Sequence, residues 1–286
     1  MVKLASQDIQ SKEVLQYEGL HLFHFPMSSC SQKVRIFLNL KGIEWQPHIV
    51  DLLANENLSP RFLGINPRGL VPVLIDNGDV HIESNDIMLH LEDKYPSPSL
   101  MPEDRREEME SMLRFEDDLH MDLRTLSFRF LFVPDKPPKT SDDLDRYAHT
   151  GSGTVLGTRD EHKEREIAYW ESYAREGISD EMACAAAGRF RTALDAVESR
   201  LAHAPFLCGD TLSLVDIAWV VYCNRLSLSG YPMRRLHSRL ATWYGDLAKR
   251  QEFASELALP PPMATRLESA PDSFRKALEK TCFACN

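Results

Sequence analysis

The period of the hydrophobic pattern changes near Glu103, and this change most constrains the fold. Before it, short apolar runs of strand length alternate with segments whose apolar residues repeat at helical spacing. After it, the pattern remains helical almost to the end of the chain. The 286 residues are enough for two domains with separate cores. We therefore expect an α/β domain followed by an all-α domain.

The first predicted strand is Leu20–Phe25, which stops at Pro26 because proline cannot donate to a sheet ladder. Ser31–Lys41 follows as a helix, and its apolar residues recur at helical spacing. Glu44–Val50 is the next predicted strand, with Pro47 favouring an edge position. Strand, helix and strand form a βαβ unit, so these two strands should be parallel.

A hairpin is predicted next, because Val71–Ile75 and Asp79–Ile82 flank an Asn77-Gly78 step. Both turn residues tolerate positive φ, which tight hairpin turns require. Ser84 is a predicted cap for the helix that follows, and Pro96 ends that helix. The first domain therefore has the order βαβ, a connecting segment, then ββα.

Three segments dominate the helical half. Glu103–Leu119 is acidic with one apolar stripe, and Ala186–Leu201 carries a regular helical stripe. Val215–Tyr222 is apolar on nearly every side, which indicates a helix in the centre of a helical domain. Ser213 and Asp216 form an S-x-x-D capping box at the start of that central helix.

These patterns divide the chain into four parts: an N-terminal extension (1–19), an α/β domain (20–102), a helical domain (103–257) and a tail (258–286). Within the helical domain, Val133–Arg165 holds several prolines and a Gly-Ser-Gly step, which predict a long irregular insertion. The tail is expected to contain one short helix, Ser273–Lys280.

The charge balance argues against nucleic acid and anionic lipid as partners. Lys and Arg total 33 against 43 Asp and Glu, for a net charge of −10 that repels phosphate. No apolar run reaches the ~18 residues that a membrane span requires, and the first residues lack a signal core. We expect a cytoplasmic protein whose partners are small molecules or proteins.

Six cysteines are dispersed along the chain: Cys30, Cys184, Cys208, Cys223, Cys282 and Cys285. Without an export signal they are expected to be reduced thiols, with Cys184 and Cys223 as small buried residues of helices. The C-x-x-C spacing of Cys282 and Cys285 lacks the second pair that a zinc site needs, and no H-x-x-x-H pair exists. No metal is expected.

Three segments carry polar groups that suit a bound thiol compound. Ser28 and Cys30 lie between the first strand and helix, where free N–H groups and the helix dipole stabilise a thiolate. If the Val71-Pro72 bond is cis, the backbone of Val71 faces outward and can pair with an extended peptide. Glu83-Ser84 could hold the ammonium and carboxylate of an amino acid. Each segment also has a structural explanation, as a helix cap or an edge-strand proline.

In this order the segments resemble the glutathione transferase family. The resemblance covers Leu20–Glu256 and rests on Ser28–Arg35, Asn66–Leu74, Glu83-Ser84 and Pro205–Ala218. It implies a thioredoxin-like glutathione-binding domain, a helical substrate domain and a homodimer. The Ser-Ser-Cys run is similar to the zeta class, and also to a reductive dehalogenase that uses the cysteine.

By this resemblance Ser28 is the catalytic hydroxyl, with Cys30 as the alternative catalytic residue. The implied glutathione-binding residues are Ser28, Asn57, Leu70, Val71, Pro72, Glu83 and Ser84. The expected substrate pocket uses Met27, Phe115, Leu119 and Trp219. Asn57 and Leu70 depart from the family, whose members often have a basic and a polar residue there.

The expected activity is that of an enzyme, a glutathione transferase. Glutathione would be its cosubstrate, without a metal, and its thiol would attack a small electrophile. Two alternatives stay open: thiol–disulfide exchange or reductive dehalogenation through Cys30, and a related binding protein without turnover. The open flank of the Val71–Ile82 hairpin favours a homodimer. Arg105, Arg106 and Arg114 are expected to pair with acidic residues of the partner, so the dimer should weaken with salt.

Overall fold

The computed structural model describes residues 2–283, which form two compact units. The first unit comprises the chain up to Leu38 together with Gly42–Lys94 and Pro134–Gly177. The second comprises Asn39–Lys41, Tyr95–Val133 and the chain from Ile178 onward. No helix in the part of the chain described is both long and apolar enough to cross a membrane.

The strands and α-helices are, in chain order, β1 (Val2–Lys3), β2 (Leu20–His24), α1 (Ser29–Lys41), β3 (Gln46–Ile49), α2 (Pro60–Leu63), β4 (Val73–Asp76), β5 (Asp79–Ile82), α3 (Ser84–Lys94), α4 (Arg106–Asp117), α5 (His120–Ser127), α6 (Ser141–His149), β6 (Thr154–Val155), β7 (Thr158–Arg159), α7 (His162–Glu176), α8 (Asp180–Arg200), α9 (Leu214–Leu228), α10 (Met233–Leu236), α11 (Ser238–Leu247), α12 (Gln251–Leu257), α13 (Pro261–Ser269), α14 (Asp272–Arg275) and α15 (Ala277–Phe283).

The first unit contains a five-stranded sheet of order β1-β5-β4-β2-β3. Strands β2 and β3 are parallel on either side of α1, and β4 and β5 are antiparallel, as predicted. Strand β1 pairs with β5, with Val2 opposite Ile82, so the hairpin has no open flank on that side. The predicted open flank of the hairpin was wrong. Strand β1 could not be found in the sequence, because a strand of two residues carries no periodic pattern. The two edge strands of the sheet are β1 and β3.

The insertion is structured and belongs to the first unit, whereas the sequence predicted an irregular part of the helical domain. It forms α6, the β6–β7 hairpin and the first turn of α7. Buried Asp8, from the N-terminal extension, accepts hydrogen bonds from Thr154 Oγ1 at 2.7 Å and Gly157 N at 3.0 Å. Tyr147 donates from its hydroxyl to the carbonyl of Arg68 at 2.6 Å. The elements are short and separated by glycines and prolines, so their periodicity was too weak to detect.

The second unit is helical, as predicted. Its central helix α9 is buried along most of its length, and the capping box between Ser213 and Asp216 is present. The arginines of the α4 region pair locally: Arg105 with Glu108, and Arg106 and Arg114 with Glu110. These local pairs would compete with the predicted pairing to a partner chain.

The tail forms three helices where one was expected, and the last of them, α15, buries Leu278 and Phe283. Cys282 of α15 forms a disulfide with Cys184 of α8. The expectation that both are reduced, and that Cys184 is simply buried, was wrong, because the tail folds back on α8 and brings the two sulfurs together. Cys223 is fully buried, as predicted. Cys285 lies outside the described residues.

Candidate functional site

Strand pairing brings the three sequence motifs to one end of the sheet in the first unit. Phe23 of β2 lies opposite Val73 of β4, which also lies opposite Ile82 of β5. At this end the chain leaves β2 toward Ser28 and leaves β5 toward Glu83, and it enters β4 from Val71-Pro72. Residues far apart in sequence thus share one sheet end.

Ser28 caps α1 and retains a hydrogen-bond donor. Its Oγ accepts from the backbone N–H of Ser31 at 3.2 Å. A serine hydroxyl has one proton and two lone pairs, so this cap leaves the proton for another acceptor. The loop is held by Arg35, which donates to the carbonyls of Phe25 at 3.3 Å and Pro26 at 3.0 Å. Capping the helix and donating to a ligand are therefore compatible roles.

Cys30 is the second residue of α1, half-buried and not disulfide-bonded. The first turn of a helix favours a thiolate, because its N–H groups and dipole are positive there. Met27 is half-buried in the preceding loop. Both hypotheses, with Ser28 activating the thiol of a ligand or with Cys30 as the nucleophile, are thus compatible with the start of α1.

His24 lies at the end of β2, beside the Ser28 loop. Its Nδ1 is 3.2 Å from Arg35 Nη1. Burial, and then the charge of Arg35, lower the pKa of His24 from 6.5 to about 4. The imidazole is therefore neutral near pH 7, and Nδ1 accepts the hydrogen bond from Arg35.

Val71 presents an unpaired backbone edge. The Val71-Pro72 bond is cis, and Val71 is only 8% exposed. Within residues 2–283 its N–H and C=O take part in no backbone hydrogen bond. Buried backbone groups are nearly always paired, so this edge is suited to an extended ligand. The neighbouring Leu70 is fixed, because its carbonyl accepts from Asn66 Nδ2 at 2.8 Å.

Glu83 and Ser84 begin α3. Glu83 has a φ of 66°, in the left-handed region that costs a non-glycine residue roughly 1 kcal/mol. Such conformations are concentrated at functional sites. Its carbonyl accepts from Ile87 N at 2.8 Å, so Glu83 is the residue before the first turn. The first N–H groups of an α-helix point along its axis and favour an anion at this end.

Asn57 is engaged inside the protein. Its Nδ2 donates to the carbonyl of Gly69 at 2.7 Å, and its Oδ1 is 3.5 Å from Lys139 Nζ. The sequence could not indicate the contact with Lys139, which comes from the insertion. The arrangement positions the segment that leads into Val71.

Arg68 links the insertion to Glu83, and sequence reasoning gave it no role. Its Nη1 donates to Glu83 Oε1 at 2.6 Å, while Nε and Nη2 donate to the two oxygens of Asp160 at 2.7 and 3.0 Å. Burial alone would lower the pKa of Arg68, but the two carboxylates raise it above its ordinary value. Burial alone would raise the pKa of Asp160, but its hydrogen bonds with Arg68 lower it. Arg68 and Glu83 lay within motifs found in the sequence. Asp160 did not, because it is 92 residues from Arg68 and lies in the insertion.

Two of the predicted substrate-pocket residues meet in the second unit. The rings of Phe115 and Trp219 are 5.8 Å apart between centroids. Phe115 is exposed and, with Met112, lines a cavity of about 220 Å³ between α4 and α8. Trp219 and Leu119 are buried.

Family models match both halves of the chain. The model for the glutathione S-transferase N-terminal domain matches residues 22–99, and the model for the C-terminal domain matches residues 160–246. A zeta class glutathione S-transferase of Euphorbia esula is 47% identical over 85 residues, which are 30% of this chain and 38% of that protein. A maleylacetoacetate isomerase of Pseudomonas aeruginosa is 39% identical over 88 residues, 30% of this chain and 42% of that protein. The matched segment thus spans well under half the length of these relatives.

The fold is also shared over most of the chain. The beta-etherase LigF from Sphingobium sp. strain SYK-6 superimposes with a TM-score of 0.70 at 24% identity, covering 83% of this chain and 98% of that one. The N-terminal family model matches the part of the chain that forms the thioredoxin-like sheet. The C-terminal model matches a later part, most of which is in the helical unit. This chain therefore belongs to the glutathione transferase family.

Proposed function

We propose that this protein is a glutathione transferase that activates the thiol of glutathione for attack on a small electrophile. The unpaired backbone of Val71, at the sheet end that Ser28 and Glu83 share, carries the proposal. Glutathione is an extended tripeptide with a central thiol and an amino acid head group. Val71 would pair with its cysteinyl backbone, Glu83 with its ammonium, and Ser84 with its γ-glutamyl carboxylate.

Ser28 supplies the activating hydrogen bond in this proposal. Its free proton would donate to the sulfur and favour the thiolate, the nucleophilic form. A hydrogen bond to a charged group contributes about 1.5–3 kcal/mol, which corresponds to a pKa lower by about 1–2 units. Pro72, Leu70 and Asn57 would shape the glutathione-binding surface around Val71. Met27, Phe115, Leu119 and Trp219 stay the predicted pocket for the electrophile.

Calorimetry and thiol titration test this function. We expect glutathione to bind at millimolar concentration, and Ser28→Ala to raise the pKa of the bound thiol by about 1–2 units with similar affinity. Ser28→Thr is the matched control, because threonine keeps both the cap acceptor and the donor. Failure of the wild type to bind glutathione would refute the proposal.

The second candidate makes Cys30 the nucleophile, in thiol–disulfide exchange or reductive dehalogenation through a mixed disulfide with glutathione. The position of Cys30 in the first turn of α1 favours it. Activity measurements separate the two residues. Full activity of Cys30→Ser together with loss in Ser28→Ala would exclude Cys30 as the nucleophile, and the reverse result would exclude Ser28.

A substrate panel separates both enzymes from a binding protein without turnover. It should contain aryl halides, disulfides and quinones, with maleylacetoacetate and a β-ether added because of the names of the similar proteins. Turnover of any of them with glutathione would exclude a purely binding role.

The proposal also includes a homodimer and action in the cytoplasm. Closed two-fold dimers are the most common oligomers of soluble proteins. The cytoplasm holds a reducing glutathione pool, which the reaction would consume. The disulfide between Cys184 and Cys282 argues in the other direction, since such bonds are rare in reducing compartments.

A further inference from the structure

Three charged side chains form a chain of ion pairs behind the proposed ammonium site. Arg68 lies between Glu83 and Asp160, and its guanidinium bonds to both carboxylates. Arg68 and Asp160 are mostly buried, with side chains 17% and 14% exposed, whereas Glu83 is 36% exposed. Glu83 is therefore the member of the set that a ligand can reach.

The charges of the three residues sum to a net negative site. Without Asp160, Arg68 would neutralise Glu83, and the pair would have little attraction for an ammonium group. Asp160 engages Arg68 through a two-point contact, the strongest geometry that arginine and a carboxylate form. One negative charge then remains at the exposed end, on Glu83.

The insertion holds Asp160 firmly in this position. Asp160 follows β7, and its backbone N–H donates to the carbonyl of Gly153 at 3.1 Å. The same β6–β7 hairpin is anchored by buried Asp8, and Tyr147 bonds to the backbone of Arg68. The insertion thus contacts Arg68 through both its side chain and its main chain.

We propose that Asp160 is a positioning and specificity residue for glutathione: it neutralises Arg68, so that Glu83 keeps the charge that selects the γ-glutamyl ammonium. The inference rests on the proposed function and assigns the insertion a part in it. Asp160 acts through Arg68 and Glu83 and does not itself contact the ligand.

Isothermal titration with two ligands tests the assignment. The probes are glutathione and its deamino analogue, glutaryl-cysteinyl-glycine, which lacks the ammonium. For Asp160→Asn we expect glutathione affinity to fall about tenfold, as expected for loss of one charge about 10 Å away at a partly buried site, with little change for the analogue. Asp160→Glu should restore affinity, and Glu161→Gln should leave it unchanged, because Glu161 is an exposed carboxylate beside Asp160.

The double variant Arg68→Gln/Asp160→Asn provides the sharpest test. It removes one positive and one negative charge, so the site regains its net charge and should bind glutathione better than Asp160→Asn alone. A variant that merely misfolds would instead lose affinity further, and for both ligands.

Each outcome has a distinct meaning. Tighter glutathione binding by Asp160→Asn would overturn the proposal, because Arg68 would then be an anion site that Asp160 blocks. Equal losses for the two ligands would also overturn it. A wild type that binds no glutathione would refute the proposed function together with this inference, whereas normal binding by both wild type and Asp160→Asn would refute only the inference.

Discussion

Burial of His24, near the site, makes the stability of the fold depend on pH. It is 7% exposed, and within residues 2–283 its Nε2 has no hydrogen-bond partner. Protonation would place a second positive charge beside Arg35 in a poorly hydrated place. The folded protein therefore resists a proton that the unfolded chain accepts.

We predict that stability falls in acid partly because of His24. The pKa is about 4 in the folded state against 6.5 in the unfolded state, so only the unfolded chain gains this proton between those values. The contribution of His24 is present above pH 6.5 and is lost as the pH falls toward 4. We expect roughly 2 kcal/mol to be lost between about pH 7 and about pH 4.5.

Urea denaturation at several pH values measures this effect. His24→Phe keeps an aromatic ring next to Trp45 and should reduce the pH dependence, while a His149→Phe control at an exposed position should not. Identical pH dependence in the wild type and His24→Phe would contradict the prediction.

At the scale of one element, the start of α9 is fixed by Asp216, which is fully buried. Its Oδ2 accepts from Ser213 N at 2.9 Å and from Ser213 Oγ at 2.6 Å. Its Oδ1 accepts from Leu207 N at 3.0 Å and from Trp243 Nε1 at 3.2 Å. One carboxylate thus joins the cap of the central helix to the preceding loop and to α11.

We predict that Asp216→Ala lowers the free energy of unfolding by about 3 kcal/mol, because it leaves several buried donors without an acceptor. Denaturant titration of the purified variant measures the loss. Asp246→Ala removes an exposed carboxylate of α11 and should cost well under 1 kcal/mol, as roughly expected for a surface pair. Equal effects of the two substitutions would show that the buried network is not the cause.

At the scale of the whole molecule, the free β3 edge and its neighbouring loop are the surface to test for dimer formation. Ile49 is 64% exposed and Leu53 is 85% exposed, although both are large and apolar. Exposed apolar residues at an open sheet edge favour association. Arg105, Arg106 and Arg114 already pair with nearby acidic residues, so we base the interface on the apolar residues of the β3 edge instead.

We predict a dimer that persists at high salt and that Leu53→Glu weakens at least tenfold, since a carboxylate there would have to be desolvated. Analytical ultracentrifugation at low and high salt measures the state. Leu156→Glu is the control, because Leu156 is also exposed but lies on the β6–β7 turn. A 32.6 kDa monomer in the wild type at both salt concentrations would refute the dimer.

The sequence by itself determined the features that depend on neighbouring residues. The βαβ unit, the Asn77-Gly78 hairpin, the apolar central helix and the Ser213–Asp216 cap were all predicted, because period, turn chemistry and capping act over a few positions. The motif around Ser28 likewise follows from a strand end beside a helix start. Its place next to Val71 and Glu83 follows from strand pairing.

Only the tertiary structure decided which distant segments meet. The pairing of β1 with β5, the ion pair of Arg68 with Asp160 and the disulfide of Cys184 with Cys282 join residues 78 to 98 positions apart. Nothing in local spacing distinguishes Asp160 from the other acidic residues of this chain, because partner choice depends on where the whole backbone goes. The insertion could therefore be located from its prolines and glycines, while its contact with the site could not.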